Sequence, residues 1–141
     1  MIAYTHPPLP AKSTGFASRL LHLQPGAFAD VIEVELEPVS FSIHGSDAPK
    51  YEAISYVWGP ALPDEPQIRI KNKDDPVDEQ PRYLAVRENL RCALQHLRSE
   101  SAVRTLWIDA ICINQEDESE KSQQVAHMGS IYELAERVVI C

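Results

Sequence analysis

The period of apolar and polar positions changes several times along the chain, and each change marks an element. Val31 to Glu37 alternates strictly, with Ile32, Val34 and Leu36 on one side and Glu33, Glu35 and Glu37 on the other. That is the pattern of a half-exposed antiparallel or edge strand. Arg19 to Leu23 is a shorter strand closed by Pro25-Gly26, and Pro38 to Pro49, with Ser40, Ser42, Gly45, Ser46 and Asp47, reads as a loop. Tyr51 to Trp58 carries apolar or aromatic groups on both faces, Tyr51, Ala53 and Val57 on one and Ile54, Tyr56 and Trp58 on the other, before stopping at Gly59-Pro60. Burial on both sides marks an inner strand. Gln67 to Ile70 and Tyr83 to Val86 make a hairpin across the hydrophilic Lys71 to Pro81, where Asn72 to Asp75 begins a turn.

The period then lengthens. From Arg87 to Arg98, Leu90, Ala93, Leu94 and Leu97 fall on one helical stripe, with Glu88 near the start and His96 and Arg98 near the end, as the helix dipole favours. After Ser99 to Ala102, Val103 to Asp109 makes a second inner strand. A second helix spans Glu118 to Arg137: Asp117 caps it with Glu120 three residues on, and Val125, Met128, Ile131, Tyr132 and Ala135 form its buried stripe. Gly129 within that helix implies a close packing neighbour. Val138 to Cys141 is a last apolar strand whose abrupt end reads as a cut inside a longer protein. Strand, helix, strand, helix, strand over residues 83 to 141 predicts two successive parallel crossovers. The expected fold class is α/β, a mainly parallel central sheet flanked by helices, with antiparallel or edge strands at the N-terminal side. Residues 1–18, with Pro7, Pro8, Pro10, Ser13, Gly15 and Ser18, read as a flexible lead-in, and residues 19–141 as one domain.

Composition narrows the function classes. A chain of 141 residues with 44% hydrophobic and 24% charged residues is ordinary for a globular domain. The net charge of −8 and the scattering of 13 basic residues leave no cationic stripe for nucleic acid. Glu33, Glu35, Glu37 and the run Glu116 to Glu120 read as solvated surface. Cys92, Cys112 and Cys141 lack CxxC spacing and lie in apolar segments, where a thiol behaves as a small hydrophobe. His6, His22, His44, His96 and His127 show no HxxxH or HExxH spacing, so no metal site is expected. No run approaches the ~18 apolar residues of a membrane span, and no charged, apolar leader opens the chain. A reduced, cytoplasmic protein is the expectation.

The polar groups with chemical potential sit where the two inner strands end. Open α/β sheets bind ligands at the carboxyl edge of their strands. If both strands run parallel, Tyr56, Trp58 and Gly59 become neighbours of Asp109, Asn114 and Gln115. A carboxylate, two amides, a phenol and a stacking face suit a nucleotide or ribose, while the acidic first turn of the following helix disfavours phosphate. Structural roles compete with this reading: Asp109 can bond backbone amides of its own loop, Asn114 and Gln115 can shape a turn, and Trp58 can anchor the core. Neither GxGxxG, a Walker loop nor GxSxG occurs, and no nucleophile and base are evident.

Three blocks, Tyr51-Glu52-Ala53-Ile54-Ser55-Tyr56-Val57-Trp58-Gly59, Leu106 to Asp117, and Glu120-Lys121-Ser122-Gln123-Gln124-Val125 with Met128, Ile131-Tyr132, Ala135 and Val138-Val139-Ile140, together resemble the heterokaryon incompatibility (HET) domain of filamentous fungi. The resemblance covers roughly residues 19–141, with Glu88-Asn89-Leu90 and Ala93-Leu94 matching the intervening helix. It implies a signalling module of non-self recognition that promotes programmed cell death, acting through self-association or protein partners and without a resident cofactor. The family is remotely similar to Toll/interleukin receptor-like domains, some of which cleave NAD. That keeps open an alternative in which NAD is ligand or substrate, and a third in which the chain is an inactive truncated decoy. The chain departs from the family in two places. The usual Trp-Leu-Gly continuation does not follow Val138-Val139-Ile140, and the glutamate essential to the NAD-cleaving relatives lies beyond the equivalent strand, so no residue here inherits its role. Lys71 to Arg82 is also longer and more acidic than the usual hairpin.

Overall fold

A computed structural model describes residues 1–12, 14–42 and 49–141. His44, Gly45, Ser46 and Asp47 of the expected loop, and Ser13 of the lead-in, lie outside the described residues. In chain order the elements are β1 (Ile2–Ala3), β2 (Phe16–Leu23), β3 (Glu33–Phe41), β4 (Glu52–Ser55), β5 (Gln67–Asn72), β6 (Arg82–Ala85), α1 (Glu88–Leu97), β7 (Arg104–Trp107), α2 (Asp109–Cys112), α3 (Glu118–Leu134) and β8 (Arg137–Ile140). The strands form one sheet in the order β1-β6-β5-β3-β2-β7-β4-β8. The protein is α/β, with parallel pairs β1–β6, β3–β5, β4–β7 and β4–β8 and antiparallel pairs β2–β3, β2–β7 and β5–β6.

The strand pairings follow from the side-chain pattern. Val34 and Leu36 of β3 bury their side chains, while Glu33, Glu35 and Glu37 meet Arg69, Lys71 and Lys73 in a cross-strand ladder of ion pairs on the other face. β4 and β7 are inner strands as expected, and Ala53, Ile54, Leu106, Trp107 and Ile108 are completely buried. Helix α1 buries Leu90, Ala93, Leu94 and Leu97, the stripe its periodicity predicts.

Several expectations are corrected. Residues 1–18 are not simply a lead-in: β1 pairs with β6, Tyr4 is buried, and β2 starts at Phe16. β3 runs on through Pro38 to Phe41, inside the expected loop. Beyond Leu36 its ladder continues with β2 alone, so one side of the strand has no ladder to break, and Pro38, which has no N–H, is tolerated there. The first expected parallel crossover is absent, because β6 pairs antiparallel to β5 and the sheet directions make it antiparallel to β7. The second, β7–α3–β8, is present, with β4 between the two strands.

Side-chain placements also differ. Val57 is 75% exposed, because the chain leaves the sheet at Ser55. In α3, Val125 is exposed and Gln124 is buried in its place, while a Cβ at Gly129 would meet nothing within 4 Å. Of the cysteines only Cys112 is buried; Cys92 and Cys141 are exposed. Among the described residues no helix is long and apolar enough to cross a membrane.

Candidate functional site

β4 and β7 lie parallel and adjacent, Glu52 opposite Leu106 and Ala53 opposite Trp107, so both release the chain at the same sheet edge. After β7 the backbone passes Ile108 and turns at once into α2, which places Asp109 at a helix start rather than on a strand. After β4 it leaves through Tyr56, Val57 and Trp58 to Gly59. The two exits converge: the Trp58 side chain and the Ala110 backbone both act on the Asp109 carboxyl, each favouring its charged form. Burial outweighs both and holds the Asp109 carboxyl above the usual carboxylate range.

Two phenols lie near enough to feel the Asp109 charge. Burial raises the pKa of both Tyr56 and Tyr132, and the neighbouring Asp109 charge raises each further. Tyr132 comes from α3 and donates to the Ile54 carbonyl at 3.1 Å, tying that helix to the end of β4.

The start of α1 fixes the loop that carries Trp58. Arg87 Nη1 donates to the Gly59 carbonyl at 2.6 Å, and its guanidinium carbon stands 5.2 Å from the centre of the Trp58 ring. Asn89 Nδ2 donates to the Val57 carbonyl at 2.9 Å. Gly59 has φ +77°, and a Cβ there would come within 2.7 Å of Asn89 Nδ2. Position 59 therefore takes glycine on two counts. Arg87 and Asn89 are residues the sequence reading missed. One signal was available: Arg87 occupies the N-cap of α1, where Ser, Thr, Asp or Asn is usual, and makes no capping bond.

The structure does not bring Asn114 and Gln115 into this cluster through their side chains. Gln115 Nε2 donates to the Asp109 carbonyl at 2.9 Å, and Asn114 Oδ1 accepts from the Glu116 N–H at 3.1 Å, so both shape the turn between α2 and α3. The same two residues border a neighbouring cleft of about 570 Å³ beside His6, Tyr83 and Ala110. Asp117 caps α3 through the Glu120 N–H at 3.1 Å, as the sequence predicts.

A buried polar network under the site was also missed. Arg19 is 3% exposed and grips both oxygens of Glu120 at 2.8–2.9 Å while donating to the Cys112 and Pro7 carbonyls. Glu120 in turn accepts from the Asn114 N–H at 2.6 Å. Glu120 is thus no part of the solvated acidic run; it is the anchor of α3. Beside it, Trp107 Nε1 donates to Ser18 Oγ, which donates to Gln124 Oε1, and Gln124 Nε2 donates to the Ala17 carbonyl. Each polar group is satisfied, so the network is rigid. Among the described residues no three His, Cys, Asp or Glu side chains gather to hold a metal.

Comparison with known proteins agrees with the placement of these blocks. Residues 51–141 match the family model described as Heterokaryon incompatibility protein (HET). The chain is 36% identical over 129 residues to Heterokaryon incompatibility protein 6, OR allele, of Neurospora crassa, an alignment covering 86% of this chain and 18% of that protein. The chain thus spans about a fifth of the relative's length. No solved structure matches.

Proposed function

Since the chain belongs to the heterokaryon incompatibility (HET) family, we propose that it is a module of fungal non-self recognition that promotes programmed cell death through self-association or a protein partner. The observation that carries this reading is that the family match encloses both sheet exits, Trp58 to Gly59 and Asp109 to Gln115, with the helix that supplies Tyr132. The test is inducible expression of the chain in a filamentous fungus, followed by growth and vital-dye uptake. Wild type arrests growth, and Asp109→Ala or Trp58→Ala at equal protein level does not. Normal growth with abundant, folded wild-type protein overturns the reading and leaves the inactive decoy.

A second reading draws on the chemistry around Asp109. A half-buried carboxylate, two phenols, an indole face and a guanidinium at the rim suit the ribose and base of a nucleotide such as NAD. Under the leading reading the purified chain leaves NAD intact. NAD depletion in cells expressing wild type but not Asp109→Ala, both equally folded, moves the assignment to a nucleotide glycohydrolase.

A further inference from the structure

The cleft of about 570 Å³ lies where the β1 edge of the sheet faces the turn between α2 and α3. It is separate from the cluster around Asp109, because Tyr56, Trp58, Asp109 and Tyr132 take no part in its walls. One wall is the N-terminal segment with His6, the next is β6 with Tyr83 and Leu84, and the third is the turn with Ala110, Asn114 and Gln115. Its size is that of a small-molecule site.

The protein's own hydrogen bonds fix what three polar groups of these walls can offer. Gln115 commits its Nε2 to the Asp109 and Ile113 carbonyls at 2.9 and 3.4 Å, so its Oε1 remains an acceptor. Asn114 Oδ1 accepts from the Glu116 N–H, so its Nδ2 remains a donor. His6 Nε2 lies 2.8 Å from the Ile111 carbonyl; a carbonyl only accepts, so that nitrogen carries the hydrogen and Nδ1 of the neutral ring is an acceptor. Burial lowers the pKa of His6 and so favours the neutral ring. Among the described residues none of the three atoms Gln115 Oε1, Asn114 Nδ2 and His6 Nδ1 has a partner. With the Glu116 carboxylate, acceptors outnumber donors among the groups whose direction is fixed, while Thr5, Gln67 and Tyr83 can act either way. No lysine or arginine lines the cleft, and Met1, which carries its ammonium, is 88% exposed.

We propose that this cleft binds an uncharged nucleoside whose base carries an amino group beside a ring nitrogen, the edge that adenine and cytosine present. The amino group donates to Gln115 Oε1 and the ring nitrogen accepts from Asn114 Nδ2, the same pairing by which a side-chain amide reads adenine. A ribose hydroxyl or the second amino hydrogen meets His6 Nδ1, and the body of the base lies against Leu84, Ala85 and Ala110. A phosphate is disfavoured, since it meets no lysine or arginine there and faces Glu116. This site and the Asp109 cluster stand or fall separately.

The test titrates adenosine, its monophosphate, purine riboside and glucose into the full chain, with calorimetry and amide-shift mapping. Adenosine binds with a dissociation constant below about 1 mM, and the shifts centre on Tyr83, Ala110 and Gln115. Purine riboside, which lacks the amino group and leaves Gln115 Oε1 unpaired, binds at least about fivefold more weakly, as does the monophosphate. Asn114→Asp keeps the acceptor for the Glu116 N–H and removes the donor, with a loss of about tenfold. Ala85→Trp, at an exposed strand position, fills the cleft and abolishes binding. No adenosine binding to wild type, purine riboside or the monophosphate binding as tightly, glucose binding in its place, or shifts centred on Trp58 and Asp109 overturns the proposal. Full affinity in either variant also overturns it, and where a variant loses its cooperative melt the ligand series on wild type decides.

Discussion

Replacing Arg19 with methionine isolates what the buried ion pair contributes. Arg19 and Glu120 are 3% and 8% exposed, and the guanidinium makes four hydrogen bonds to three partners. Without it the Glu120 carboxylate keeps the Asn114 N–H, and removing one member of such a pair costs about 3–5 kcal/mol. The Cys112 carbonyl loses a donor in a buried setting, which adds about 1–3 kcal/mol. The carbonyl of Pro7, an exposed residue, turns to water at little cost. Against a total stability of about 5–15 kcal/mol the loss is a large share. The melting temperature falls by about 8–16 °C for a loss of about 4 kcal/mol. Urea unfolding followed by circular dichroism and tryptophan fluorescence gives the free energy. The double variant Arg19→Met with Glu120→Met loses less than the sum of the single variants, because no charge is then stranded. Single losses below about 1 kcal/mol, or strictly additive losses, refute the view that this pair anchors α3.

Three further outcomes follow from the geometry. Gly129→Ala raises stability by about 0.5–1 kcal/mol, since the site is helical and open around the added Cβ; a lower melting temperature contradicts this. Trp107→Ala, at a fully buried ring, costs about 3–5 kcal/mol, and Trp58→Ala, at a half-buried one, costs clearly less; paired thermal melts check the order. Burial lowers the pKa of His6 below its ordinary 6.5, against the raising influence of the Ile111 carbonyl; Arg19 also lowers it, and Glu120 and Glu116 raise it. Between the two values the unfolded chain binds the proton first, so stability is complete above pH 6.5 and falls as pH drops below it. The same decline in His6→Gln shows that another group is responsible.

The cluster around Asp109 was legible in part. Two apolar strands ending in Trp58 and Asp109 predicted their meeting, because parallel neighbours share a carboxyl edge, and β4 and β7 are such neighbours. Asn89 was not legible, and Arg87 only as an unusual N-cap, since nothing local relates the first turn of α1 to a loop about thirty residues earlier; the relation exists through hydrogen bonds to the Val57 and Gly59 carbonyls. Glu120 shows the same limit from the other side. As the third residue after Asp117 it had the position of a reciprocal cap, and its N–H does bond Asp117. Its carboxylate turns instead to Arg19, 101 residues away in sequence.

Sequence alone determined the class of the long periodic elements, though not β1, the end of β3 or α2, because alternation in β3 and the Leu90, Ala93, Leu94 and Leu97 stripe of α1 are local consequences of which side must leave water. Beyond the β5–β6 hairpin and the β4–β7 neighbours that the sequence predicted, only the tertiary structure decided the strand order, that β6 runs against β7, and that a proline-rich N-terminal segment lies against the fold. The physical reason is range. Side-chain period depends on neighbours a few residues apart, while strand order and the pairing of a buried charge depend on groups that meet only when distant parts of the chain share one core.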